Sequence, residues 1–349
     1  MKRIGNVNFN ENGGAWVQGL IREAVARGDR FCTVTGNWEM EQTVRIPSDF
    51  ALILDNCHLR QADGVICNMF TNEHLEENGD DFDITIEGRG RVILDGGEPN
   101  GLNERTFRSN RDNWPEVKSV TENSLIRMAH VDGIRISGLH LRNQRYWALT
   151  FVYCCRGVLR DLDFRSNDTR VTADGQHIHG LLRTDYEGCL VKNSDGIDLR
   201  CGCHDFQIRG ITGFTQDDTV ALTALWGATE QAFWKEGCRK EICNVVIRDV
   251  NAAAYCATVR LLNGDGILLH DILIDGVFDA MRDNRFADGG GHHVRIGDTH
   301  LYGKTRPMPG EVYNITVRNV HGLGRQPAVH VACHVDNLTV ETSYRGEEA

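Results

Sequence analysis

A short apolar alternation returns repeatedly along this chain, and its spacing restricts the fold more than any other feature. It begins at Ile134-Arg135-Ile136, Val158-Leu159-Arg160, Phe206-Gln207-Ile208, Val245-Val246-Ile247, Leu268-Leu269-His270, Ile315-Thr316-Val317 and Leu338-Thr339-Val340. Most starts lie about 23–24 residues apart or about twice that, which reads as one coil or two coils of a stacked structure. The step from Phe206 to Val245 is longer and reads as one coil carrying an inserted loop. A leucine-rich consensus is missing, and no amphipathic helix recurs within the period. The pattern therefore predicts an all-β chain, a single-stranded parallel β-helix.

One segment departs from it. Gly14 to Arg27 carries Trp16, Val17, Leu20, Ile21, Ala24 and Val25 at helical spacing, with Asn12 as a candidate N-cap and Gly28 behind it. An open solenoid end exposes a sheet edge, so an N-terminal capping α-helix is expected there. Residues 1–30 are read as the cap and 31–340 as coils of one domain covering 1–349. Loop insertions are expected near 100–122 and 227–240, of the length that usually forms functional walls.

Twelve cysteines, most of them in apolar runs, and no apolar stretch behind Met1-Lys2-Arg3 predict a reduced, cytoplasmic protein. The net charge of −11 argues against nucleic acid or a membrane surface as partner. No run of 18 apolar residues suggests a membrane span. Oligomeric state is not legible.

Two acidic segments carry the chemistry: Asn193-Ser194-Asp195-Gly196-Ile197-Asp198 and Gln216-Asp217-Asp218-Thr219. Asp195 and Asp217 are 22 residues apart, close to one coil, which would set the carboxyls on neighbouring rungs about 4.8 Å apart. Carboxyls so placed repel, so that one holds a proton while another stays ionised, as acid–base sugar chemistry requires. Aspartate also ends β-strands simply as a turn former. Adjacent residues of a strand face opposite ways, so Asp217 and Asp218 both reach one cleft only if the backbone turns there.

These landmarks, in order, resemble glycoside hydrolase family 28, the polygalacturonase-like branch of the pectin-lyase-like β-helices. Asp83 to Gly97 resembles that family's early Ile-Thr-Ile-x-Gly-x-Gly segment, and Asn193 to Asp198 its Asn-Thr-Asp-Gly-Ile-Asp motif. Asp217-Asp218 stands at its Asp-Asp pair. Val259-Arg260-Leu261 resembles its Arg-Ile-Lys motif, with Leu262 at the lysine position. The family's Gly-His-Gly is replaced by Trp226-Gly227 and the inserted loop. The resemblance implies a right-handed β-helix and inverting hydrolysis of a glycosidic bond, with Asp217 as general acid and Asp195 and Asp218 activating water. The two departures imply a neutral or unusual glycan, an oligo- or polysaccharide, rather than polygalacturonate.

Further binding candidates are Asp198, the pair His177 and His179, Arg260, Arg295, and Trp226 as a stacking platform. His177 and His179 stand two apart, hence on one face of a strand, in what reads as the coil before Asp195. Cys201-Gly202-Cys203-His204 lacks zinc-site spacing, and neither a metal ion nor a cofactor is expected. Two other classes stay open. One is a polysaccharide lyase or sugar epimerase using the same cleft, with Ca²⁺ on the aspartates; the other is a non-catalytic glycan-binding β-helix.

Overall fold

Inward-facing aliphatic side chains set the architecture. In the strand Val131–Arg142, Ile134, Ile136, Leu139 and Leu141 are buried while Arg135 between them is exposed. Successive in-register pairings link Leu52, Ile86, Ile136, Leu159, Ile208, Ile247, Ile274, Val317 and Val340 into one column. Each fully buried Leu or Ile contributes about 1.5–3 kcal/mol, and the parallel ladder satisfies the backbone at the same time. Val340, 43% exposed, marks the open end of the column.

The structure of the chain, a computed structural model, describes residues 1–97, 123–166, 194–279, 293–322 and 327–345. It also describes the backbone of three short strands, Thr169–Thr172, His177–His179 and Cys189–Leu190. Among these residues, an eleven-stranded sheet of mostly long strands faces a nine-stranded sheet of short ones, and both are parallel throughout. One coil runs from the long strand His204–Thr215 through the short strand Val220–Ala224 to the next long strand, Ile242–Ala254. The fold is a right-handed parallel β-helix with a helix over its N-terminal end. No described helix is long and apolar enough to cross a membrane.

A polar residue near the start of the later long strands kinks the backbone. Asp205, Asn244, Asp271, Asn314 and Asn337 all have φ between 54° and 59°, the left-handed region that Asn and Asp tolerate. Their side chains bond between coils, Asn244 to Asp205 at 3.0 Å and Asn314 to Asp271 at 2.8 Å. Many aspartates of this chain are therefore architectural.

Helix α1 (Gly13–Arg27) buries Val17, Ile21 and Ala24 against the first coil, and Trp16 stacks on Trp38 at 4.0 Å. Asn12 occupies the N-cap position, but its side chain makes no capping bond. Glu41 caps the helix instead, accepting from the amides of Gly14 (3.1 Å) and Ala15 (2.9 Å). A carboxylate near a helix N-terminus also faces the positive end of the dipole.

The long intervals differ from the sequence reading. Val158 pairs directly with Gln207, and Leu269 with Val312, so each step of about 47–48 residues is one coil with an excursion, not two coils. The excursion in the first is the antiparallel sheet of Thr169–Thr172, His177–His179 and Cys189–Leu190, which stands outside the stack. An insertion about as long as a coil preserves the period, and spacing alone cannot separate the two. The insertion at 227–240 contains helix α2 (Ala228–Phe233); the one at 100–122 lies outside the described residues.

Close stacking of coils gives one sharp test. Gly213 has φ 106°, and a Cβ there would sit 1.9 Å from the carbonyl oxygen of Phe164 on the previous coil. Gly213→Ala is expected to cost at least about 2 kcal/mol, read as a lower unfolding midpoint in denaturant. An unchanged midpoint would show that the coils are not packed at this spacing.

Candidate active site

The nine-stranded sheet carries an outward row in register, from coil to coil Arg45, Thr71, Arg127, Thr150, Asp198, Ala221, Arg260, Arg295 and His330. The residues on either side, such as Ile197 and Leu199, face the core. A row outside the solenoid would ordinarily be wet, yet Arg127, Thr150, Asp198 and Arg260 are buried. Ring systems cover several of these guanidinium groups: Phe233 lies over Arg127 at 5.1 Å and Tyr302 over Arg260 at 5.8 Å.

Just before the short strands, the ladder continues through the connecting bends. The amide of Gly196 donates to Asp218 O at 2.9 Å, and that of Thr219 to Ala257 O at 3.0 Å. Asp195 and Asp218 are thereby stacked on consecutive rungs. The amide of Asp218 donates to Asp195 Oδ1 at 3.0 Å. Asp217 and Asp218 lie in a bend, not in a strand, where Thr215 Oγ1 donates to Asp217 O at 3.2 Å. The alternation rule therefore does not apply, and both carboxyls converge. With the Cys256 thiol of the next coil they offer ligand atoms all within 4.8 Å of one another. The turn that the sequence required but could not show is present.

Burial is the main electrostatic fact. Desolvation raises the Asp195 carboxyl well above the usual range, and the charges of Asp198, Asp217 and Asp218 raise it further. Asp198 is pushed up to about 8, chiefly by burial, with the Arg200 guanidinium opposing. Burial thus favours the protonated form of both Asp195 and Asp198. Asp218 is also raised by burial, but Arg260, the amide of Ala257 and Arg295 all pull it down. Burial and the charges of Asp217 and Asp218 keep the Cys256 thiol protonated, hydrogen-bonded to Asp217.

Several neighbours escaped the sequence reading. Arg200 is held by Glu230 at 2.6 Å and stands 3.9 Å from Asp198, its guanidinium 4.5 Å from the Trp147 ring centroid. Glu230 comes from α2 in the inserted loop and is fully buried. Arg260 and Arg295 share Asp298, the second at 2.9 Å. Nothing local in the sequence marks Glu230 or Asp298. They meet their partners only because an insertion and a later coil fold over the row.

Of the residues singled out from the sequence, Asp195, Asp198, Asp217, Asp218, Arg260 and Arg295 come together. His177 and His179 do not belong to the coil before Asp195. They form a strand of the side sheet, and their side chains lie outside the described residues. Trp226 follows Val220–Ala224, whereas Asp218 precedes it, so about 17 Å of extended strand separates the indole from the acids. Its immediate partner is Lys240, whose Nζ lies 3.7 Å from the ring centroid.

The raised carboxyl of Asp198 sets a pH dependence. A carboxyl with a higher pKa in the folded state stabilises fully below its unfolded pKa of about 3.9, and this contribution is lost as pH rises through about 8. Over that window the thermal midpoint of the wild type should fall relative to that of Asp198→Asn. Parallel curves for the two proteins would refute a raised Asp198 carboxyl.

No protein-family model matches the chain, and no curated protein matches it. Among solved structures it is similar to a hyperthermoactive exopolygalacturonase from Thermotoga maritima, at 12% identity and TM-score 0.52, over 94% of this chain and 72% of the other. It is similar to the polygalacturonase of Erwinia carotovora ssp. carotovora at 13% identity and TM-score 0.51, over 97% and 96%. A tailspike protein double mutant of E. coli bacteriophage HK620 gives 13% identity and TM-score 0.60, with 96% of this chain covering 60% of that one. Such low identities speak to architecture: the chain has the polygalacturonase-like, pectin-lyase-like fold.

Proposed function

We propose that this protein is a glycoside hydrolase acting on an oligo- or polysaccharide, with the Asp195, Asp217 and Asp218 cluster as its catalytic centre. The observation that carries the proposal is the bond from the Asp218 amide to Asp195 Oδ1, which joins acids of two coils in one part-buried group. Burying several carboxyls together is costly unless they share protons, and a retained proton beside an ionised carboxylate is what glycosidic cleavage uses.

In this reading Asp217, partly exposed like Asp218, protonates the leaving oxygen. Asp218, drawn toward ionisation by Arg260 and Arg295, activates water together with Asp195. For Asp195 to accept from water, the proton that burial favours on this pair has to reside on Asp198. Arg200, fixed by Glu230, faces Asp198 at 3.9 Å and opposes its neutral form. Similarity to polygalacturonase folds supports the reading at the level of architecture.

Inversion in this reading places the water against Asp195, on the rung next to Asp217 and Asp218. A calcium-dependent lyase draws less support, because the third ligand atom near Asp217 and Asp218 is a thiol, which a hard cation avoids.

The test is a screen of oligosaccharides for release of reducing ends, with the first-formed anomer read by NMR. Asp217→Asn and Asp195→Asn are each expected to lower the rate by about 10²–10⁴-fold while circular dichroism stays unchanged. Full activity in either variant would remove that residue from the chemistry, and a retained anomer would replace inversion by a covalent intermediate.

A further inference from the structure

Glu230 stands in an insertion, yet two coils of the stack hold it in place. It is fully buried in helix α2, with Oε1 2.6 Å from Arg200 Nε and Oε2 accepting from the amide of Gly227 at 2.9 Å. The Tyr153 hydroxyl, from the coil before Asp198, donates to Glu230 O at 3.0 Å. Three residues on, Phe233 O lies 2.5 Å from His130 Nε2 of the coil before that, and the Phe233 ring covers Arg127. The insertion is thus anchored at points that do not involve Arg200.

The consequence falls on Asp198. Its carboxyl is fully buried, and neither oxygen accepts a hydrogen bond from an N–H or hydroxyl group among the described residues. Arg200 has the charge to pair with it, but Nη1 stops 3.9 Å from Asp198 Oδ1, beyond hydrogen-bond reach, while Nε is engaged by Glu230. The Trp147 ring lies over the same guanidinium at 4.5 Å. The other ionisable groups facing Asp198 are Asp195 and Asp218, both of like charge. Thr150 and Ala221, on the rungs to either side, are uncharged, and Arg127 and Arg260 stand a further rung away. A carboxylate buried without hydrogen bonds is costly, and the cost falls when the group keeps its proton.

We propose that Glu230 is a positioning residue of the acid cluster: it draws Arg200 back from Asp198 and so makes Asp198 the carboxyl that keeps a proton. Its own negative charge acts in the same direction. The step from there to catalysis rests on the hydrolytic reading, in which a proton held on Asp198 leaves Asp195 free to accept one from water. Without the Glu230 charge the guanidinium would close on Asp198, ionise it and leave the retained proton on Asp195.

The experiment titrates the aspartate carboxyls by carbon NMR, with the Asp198 resonance assigned through Asp198→Asn, and needs no turnover. Asp198 of the unaltered protein is expected to be neutral at neutral pH. Glu230→Gln, which keeps the shape of the side chain but not its charge, should lower the Asp198 midpoint by at least about one pH unit. Adding Arg200→Gln to it should bring the midpoint back up. An ionised Asp198 in the unaltered protein, a midpoint unmoved by Glu230→Gln, or a double variant no higher than the single one would overturn the proposal. If Glu230→Gln does not fold, the unaltered protein decides: the Arg200 Nε–H should stay protected from exchange as Asp198 ionises, and its release would show that Glu230 does not hold it. Oligosaccharide cleavage is read separately. The kcat of Glu230→Gln should fall at a lower pH than that of the unaltered protein, with KM unchanged, and an unshifted profile would overturn the catalytic consequence. A protein that cleaves nothing would remove the hydrolytic reading while the Asp198 titration stood.

Discussion

The in-register stacking of parallel coils is the constraint on which everything else in this protein depends. Backbone bonds between rungs fix neighbouring strands about 4.8 Å apart, and the aliphatic column from Leu52 to Val340 makes any other register costly. A slip by one residue would turn Ile247 outward and Arg248 inward. The same ladder, continued for a residue or two beyond the short strands, holds the Asp218 amide against Asp195. Architecture and candidate chemistry share one set of hydrogen bonds.

That sharing explains how the acids can be buried at all. An isolated buried carboxylate would disrupt a core, but here burial pushes the carboxyls toward the neutral form, one of them receives an amide, and they face Arg200, Arg260 and Arg295. The rungs carry opposite charges in sequence: Asp198, then Arg260, then Arg295, with Ala221 leaving space between the first two. Glu230 and Asp298 complete the balance from segments far away along the chain. Removing one member would leave its partner buried and unpaired, which costs more than the pair contributes.

Most of the main stack was legible because a β-solenoid repeats its apolar pattern locally. Ile134, Ile208, Ile247 and Val317 all stand where the alternation put them, and the one-coil step from Asp195 runs to Asp218, one residue past Asp217. The errors have one common cause. Intervals of about 47–48 residues read as two coils because an excursion of coil length leaves the period intact. That misreading put His177 and His179 in the stack, when they pair antiparallel with Thr169–Thr172. Asn12 looked like a cap by residue type, but the capping oxygens belong to Glu41 on the following strand segment.

The sequence by itself determined the repeat, the inward and outward faces of the strands, the terminal helix and the identity of the acids one coil apart. These depend on neighbours within a few residues or one fixed period, where side-chain direction follows from backbone geometry. Only the tertiary structure decided that Asp217 and Asp218 turn to the same side, that Glu230 reaches Arg200, and that Trp226 stands apart from the acids. Each of those outcomes is set at a bend or an insertion, where no periodicity dictates direction and the packing of other coils makes the choice.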